Sequence, residues 1–132
     1  HIMIMFKILR YSAPFFYMGL IFLVSSIPGQ ELNDFNFFPN DKVIHFTEYA
    51  VLGFITSWSF IGANDNTLTA ARTTLVVLLG WIFAFSDELH QYFVPNRAAD
   101  PYDLLADMIG VLAGLIFYIV IVKKIYPRLK SA

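Results

Sequence analysis

The stretch AFSDELHQYFVPNRAADPYDLLAD, from Ala84 to Asp107, gathers carboxylates, a histidine and an arginine between two apolar runs. Asp87, Glu88 and His90 prolong the first run, and Asp103 and Asp107 begin the second. Upstream, Asp41, Lys42, His45 and Glu48 enter another apolar run in the same way. These residue types can do three kinds of chemistry. Carboxylates with imidazoles can hold a divalent cation. A carboxyl group in apolar surroundings can work beside a histidine as acid and base, and an arginine can grip a phosphate or carboxylate through a bidentate fork. No HExxH, CxxC, GxSxG or P-loop is present, so no named catalytic machine is specified and cofactor and metal identity stay open.

Composition limits where that chemistry takes place. The 132 residues are 58% hydrophobic and only 14% charged, outside the soluble range, so a single membrane-embedded domain spanning the whole chain is expected. A formal net charge of -1, without a basic stripe, excludes a nucleic-acid partner recruited by bulk charge. The absence of cysteine excludes disulfides, thiolate nucleophiles and cysteine metal sites. His1-Ile2 at the start reads as a cloning scar ahead of an initiating methionine.

Four apolar segments must then position the polar groups, which predicts an all-α, four-helix transmembrane bundle with spans over residues 11–27, 43–63, 70–92 and 101–122. In the first, Pro14 suits an opening turn and Pro28-Gly29 a stop; a signal peptide is the alternative, given Lys7, Arg10, Ser25 and Ser26. A polar connector, Gln30 to Asp41, returns the chain to the second span, where Asn40 or Asp41 can cap. At 100° per residue, His45, Glu48, Tyr49, Leu52 and Thr56 share a face of that span. Asn64-Asp65-Asn66-Thr67 is a tight turn, and Arg72 in the next helix reaches back to the headgroups. On the third helix Ala84, Glu88, Gln91 and Tyr92 share a face, with Asp87 and His90 on a neighbouring one that can equally look toward headgroups or water. Asp100 caps the fourth helix, Pro101 opens it, and Asp103, Asp107, Gly110 and Gly114 fall on one face, setting carboxylates above a small-residue seam.

Counting Lys and Arg near the span ends places both termini in the cytoplasm. Lys7 and Arg10 precede the first span, Arg72 flanks the second turn, and Lys123, Lys124, Arg128 and Lys130 follow the last span. The ionisable groups then form one outward-facing layer: Asp41, Lys42, His45, Glu48, Asp87, Glu88, His90, Gln91, Arg97, Asp103 and Asp107. Each also has a bland reading. Asp41 and Asp100 stand where helix N-termini need caps, and Asp107 needs a buried partner such as Arg97, Lys42 or His45 if its role is only structural.

The run Asp41-Lys42-Val43-Ile44-His45-Phe46, with Tyr49 and Leu52-Gly53, then Glu88, Gln91, Arg97, Asp103 and Gly110 with Gly114, resembles the VanZ-like family of small bacterial membrane proteins. The likeness covers about residues 41 to 117. It departs at Asp107, where the family pattern usually has Asn. The resemblance implies a multi-pass protein of the bacterial cytoplasmic membrane and, for the founding member, resistance to the glycopeptide teicoplanin.

Three functions compete. An envelope protein can bind a lipid-linked cell-wall precursor or a glycopeptide-related ligand through Asp41, Lys42, His45, Glu48, Tyr49, Glu88, Gln91, Arg97, Asp103 and Asp107, with Arg97 and Lys42 on its anionic group. A membrane-embedded hydrolase or transferase would use Glu88, His45 and Asp107 catalytically. A structural or accessory subunit would use the ion pairs only to order the bundle.

Overall fold

A computed structural model describes residues 1–30, 40–62 and 68–125. Residues 31–39 of the polar connector, the Asn64-Asp65-Asn66-Thr67 turn, and Arg128 and Lys130 of the basic tail lie outside the described residues. Within the described residues the chain is all-helical: α1 Ile2–Ser25, α2 Asp41–Phe60, α3 Ala70–Gln91 and α4 Pro101–Tyr118, the last continued by π-helical turns over Ile119–Ile125.

Local chemistry sets the ends. Asn40 caps α2 by accepting from the Lys42 N–H, and Asp41 is instead the first helical residue. Thr69 accepts from the Arg72 N–H at the start of α3. Asp100 caps α4 by accepting from the Tyr102 N–H at 2.9 Å, with Pro101 opening the helix where its missing donor costs nothing. After α3, Asn96 takes a left-handed backbone (φ 59°), which turns the chain toward Gly29, whose N–H donates to the Pro95 carbonyl. A Cβ on Gly29 would overlap the Asn96 carbonyl, so the end of α1 and the α3–α4 loop pack backbone on backbone.

α1 starts well before the expected span, because Lys7 and Arg10 are helical residues and not the flank of a helix. Pro14 is therefore interior and buried. Proline removes the N–H that would serve the carbonyl four residues back, here that of Arg10. Ser59 of α2 fills the gap: its Oγ lies 2.8 Å from the Arg10 carbonyl and 2.9 Å from Ile55 O of its own helix. The Arg10 side chain answers in kind, donating through Nε and Nη2 to the Trp58 carbonyl in the last turn of α2. Ser59→Ala is expected to lower stability by about 1 kcal/mol, and by less in a Pro14→Ala background, where a restored N–H serves Arg10. Denaturant unfolding of the four proteins of this cycle in micelles checks it; an equal cost in both backgrounds would refute the pairing.

α1, α3 and α4 extended to Val122 are long and apolar enough to cross a membrane. Their outer faces expose large apolar side chains, including Phe15, Phe16, Leu23, Ile82, Phe85, Ile116 and Phe117, as suits a surface solvated by lipid. α2 carries the hydroxyls of Thr56, Ser57 and Ser59 as well as His45, all buried on the sides it turns to its neighbours, while Val43, Val51 and Trp58 are exposed. α2 and α3 form the short diagonal of the bundle, each packing on both α1 and α4. The closest union is α2 with α4, where Gly53 lies against the Val111 backbone, Gly110 against Phe46 and Gly114 against Ala50. One apolar cluster, Ile21, Tyr49, Leu52, Ala84 and Val111, lies beneath the polar end, and a second, Ile61, Val76, Leu115 and Tyr118, fills the other end.

Candidate functional site

The up-and-down path brings the C-terminal ends of α1 and α3 together with the N-terminal ends of α2 and α4. The polar residues meet there in three groups.

The deepest group joins α2, α3 and α4. His45 Nδ1 lies 3.0 Å from Asp107 Oδ1, with His45 5% and Asp107 0% exposed. Glu88, 7% exposed, completes the group, and one ligand atom from each of the three lies within 4.8 Å of the others. Glu88 reaches this position from the last turn of α3, where its Oε1 accepts from the Asp100 backbone N–H and so ties α3 to the cap of α4. Glu88 Oε2 and Asp107 Oδ2 are buried and have no hydrogen-bond partner among the described residues.

The second group centres on Asp87, which is buried and does not face the headgroups or water. Its Oδ2 accepts from Ser25 Oγ at 2.9 Å, from Gln91 Nε2 at 3.2 Å and, more weakly, from Tyr49 OH at 3.4 Å. Gln91 Oε1 in turn accepts from Arg97 Nη1 at 2.9 Å, and Arg97 Nε donates to the Ile27 carbonyl at 3.3 Å. Nearby, His90 stacks on Phe22 with ring centroids 4.2 Å apart and meets Ser26 Oγ at 3.0 Å.

The third group is at the rim, where Lys42 and Asp100 precede their spans and Asp103 lies in the first turn of α4. Lys42 Nζ bonds Asp100 Oδ2 at 2.8 Å and Asp103 Oδ1 at 2.9 Å. The hydrogen bond to Asp100, then that to Asp103, holds the Lys42 ammonium above its ordinary range. In return the Lys42 bond, followed by the Tyr102 N–H, holds the Asp100 carboxyl below its own.

Lys42 is thus neutralised twice over. Arg97 has neutral partners only: among the described residues no carboxylate pairs with it. Beside Glu88 an apolar groove of about 310 Å³ opens between α3 and the start of α4, lined by Phe85, Leu89, Tyr92, Ala99 and Leu104.

A family model described as VanZ/LLP1 matches residues 3–122, nearly the whole chain. The chain belongs to the VanZ/LLP1 family. No curated protein and no solved structure matches it. Three helices long and apolar enough to cross a membrane are consistent with a membrane protein of this family.

The residues singled out in the sequence of this VanZ/LLP1 protein are distributed unevenly over these groups. His45, Glu88 and Asp107 come together; Lys42 joins Asp103; Tyr49 and Gln91 attend Asp87. Glu48 is half-buried and makes no hydrogen bond through its side chain among the described residues, and Asp41 is exposed, its Oδ1 3.9 Å from His45 Nε2. Tyr92 does not share the interior with Glu88; it is exposed and lines the apolar groove. Ser25, Ser26 and the Ile27 carbonyl were not legible as site groups. Their only signal is that hydroxyls interrupt the apolar run at its end, a pattern equally suited to a cleavage site.

Proposed function

We propose that this VanZ/LLP1 protein is a four-span protein of the bacterial cytoplasmic membrane, both termini inside, that binds a lipid-linked cell-wall ligand in its outward-facing polar layer. Arg97 holds an anionic phosphate or carboxylate of the ligand, and the groove beside Glu88 takes hydrocarbon. The observation that carries this reading is the pairing pattern of the two cations: Lys42 is consumed by Asp100 and Asp103, whereas Arg97 is held by neutral acceptors and makes no ion pair among the described residues. Ala99, two residues from Arg97, lies in the groove wall, which supports one ligand reaching both. The link to teicoplanin resistance belongs to the same proposal.

The test compares Arg97→Lys and Arg97→Ala with the parent for retention of a polyprenyl phosphate in nanodiscs and for teicoplanin susceptibility of cells. Loss of a bidentate, charge-assisted contact is expected to weaken retention by roughly tenfold to a hundredfold, equivalent to about 1.5–3 kcal/mol, at nearly unchanged melting temperature. Retention and susceptibility unchanged in both variants would refute the anion clamp. A membrane-embedded hydrolase or transferase is the second reading, favoured by the imidazole and two carboxylates meeting in one buried group.

A further inference from the structure

We propose that His45, Glu88 and Asp107 form a binding site for a divalent transition-metal ion, with Zn²⁺ the ion the set fits best. The first support is charge. Two carboxylates and one imidazole are buried where no lysine or arginine pairs with them among the described residues. With the imidazole neutral, the fully ionised set carries two negative charges, which one dication cancels without any proton being retained. The neighbouring set Asp41, His45 and Asp103 has the same residue types but not the same need, because Lys42 already neutralises Asp103 and Asp41 is exposed to water.

The second support is the pair of idle oxygens. Glu88 spends Oε1 on the Asp100 N–H and Asp107 spends Oδ1 on His45, yet Glu88 Oε2 and Asp107 Oδ2 are both buried without a partner among the described residues. Such atoms are costly unless something electropositive meets them. Spacing is the third support. Bonds of about 2.0–2.2 Å to zinc put adjacent ligand atoms about 3–3.5 Å apart. The Asp107 carboxylate already stands 3.0 Å from His45 Nδ1 through Oδ1, a contact the ion would replace, and one ligand atom from each of the three residues falls within 4.8 Å of the others. With Nδ1 giving its lone pair to the metal, the ring proton sits on Nε2, toward Asp41 Oδ1 at 3.9 Å. A small rotation of the exposed Asp41 side chain lets it accept that proton, the arrangement metal-bound histidines usually have. One nitrogen and two oxygens suit Zn²⁺ better than Mg²⁺ or Ca²⁺, which prefer oxygen alone. Three protein ligands would leave a fourth position for an exogenous ligand, and Glu88 also lines the apolar groove.

This site does not depend on the lipid reading, and its test does not use a lipid. The full chain, stripped with EDTA in detergent, is titrated with Zn²⁺ and then with Co²⁺, whose visible spectrum reports tetrahedral coordination. One Zn²⁺ per chain is expected, bound at least about tenfold more weakly by Asp107→Asn and by Glu88→Gln, neither of which changes the shape of the site. A protein carrying both His1→Ala and His90→Gln, which removes the other two histidines, should bind as the parent does. At one Zn²⁺ concentration the melting temperature of the parent should also rise more than that of Asp107→Asn. No binding by the parent, or binding unaltered in both carboxamide variants, would overturn the proposal; if one variant fails to fold, the other decides.

Discussion

His45→Leu is expected to destabilise the metal-free protein by about 3–5 kcal/mol, among the largest effects available in a chain of this size, because it leaves Asp107 fully buried beside an apolar side chain. The carboxylate must then stay ionised without a partner or take up a proton, and either costs free energy. The double variant His45→Leu, Asp107→Leu removes both the charge and its partner. It should recover most of the loss, because an apolar pair of similar volume needs no compensation where the Tyr49, Leu52 and Val111 cluster already lies below. Denaturant titration of the two single variants and the double variant in EDTA-treated micelles measures the coupling. Additive losses would mean that the two side chains do not act on each other and that the 3.0 Å contact is incidental.

The second large effect contrasts two glycines. A Cβ on Gly114 would run into the Ala50 carbonyl and come 2.7 Å from the Phe54 nitrogen, both backbone atoms of α2 that cannot step aside. A Cβ on Gly19 would meet nothing within 4 Å. Gly114→Ala should therefore lower stability by about 1–3 kcal/mol or more as the helices are forced apart. Gly19→Ala should raise it by about 0.5–1 kcal/mol, since only the entropy cost of a helical glycine is removed. Melting temperatures of the two variants in one detergent test the contrast. Equal shifts would mean that helix propensity, and not the approach of α2 to α4, governs glycine in this bundle.

Much of the arrangement follows from periodicity alone. Asp103, Asp107, Gly110 and Gly114 recur every three to four residues, so a helix through them turns carboxylates and glycines toward the same neighbour, and all four are buried. Asp100-Pro101 announces the start of α4 because a cap followed by a residue without an N–H is what a helix N-terminus can best accept. Where periodicity stops short, partners across helices are needed. Asp87 and Glu88 are adjacent in sequence and about 100° apart on α3, so which of them enters the interior depends on where α1 and α4 sit; with both helices in place, both are buried, each facing a different neighbour. Ser25 had no reason to be set apart from Ser26 until α3 brought Asp87 to it. The start of α1 is hidden in the sequence for the opposite reason: Arg10 looks like a flanking charge, and only the Trp58 carbonyl of another helix explains how it is held within one.

The glycine seam also has a mechanical consequence. With Gly53 on one helix and Gly110 and Gly114 on the other set against partner backbone, α2 and α4 cannot slide or separate without breaking contact along most of their length, so they behave as one stiff plate. His45, Asp107, Lys42 and Asp103 are fixed to that plate. Glu88, Asp87 and Gln91 are carried by α3, and Ser25 by α1, which meet the plate through side chains. A displacement of α1 and α3 relative to that stationary half would have to release the hydrogen bonds that join α3 to it, from the Asp100 N–H to Glu88, from Tyr49 to Asp87 and from Trp81 to the Met108 carbonyl.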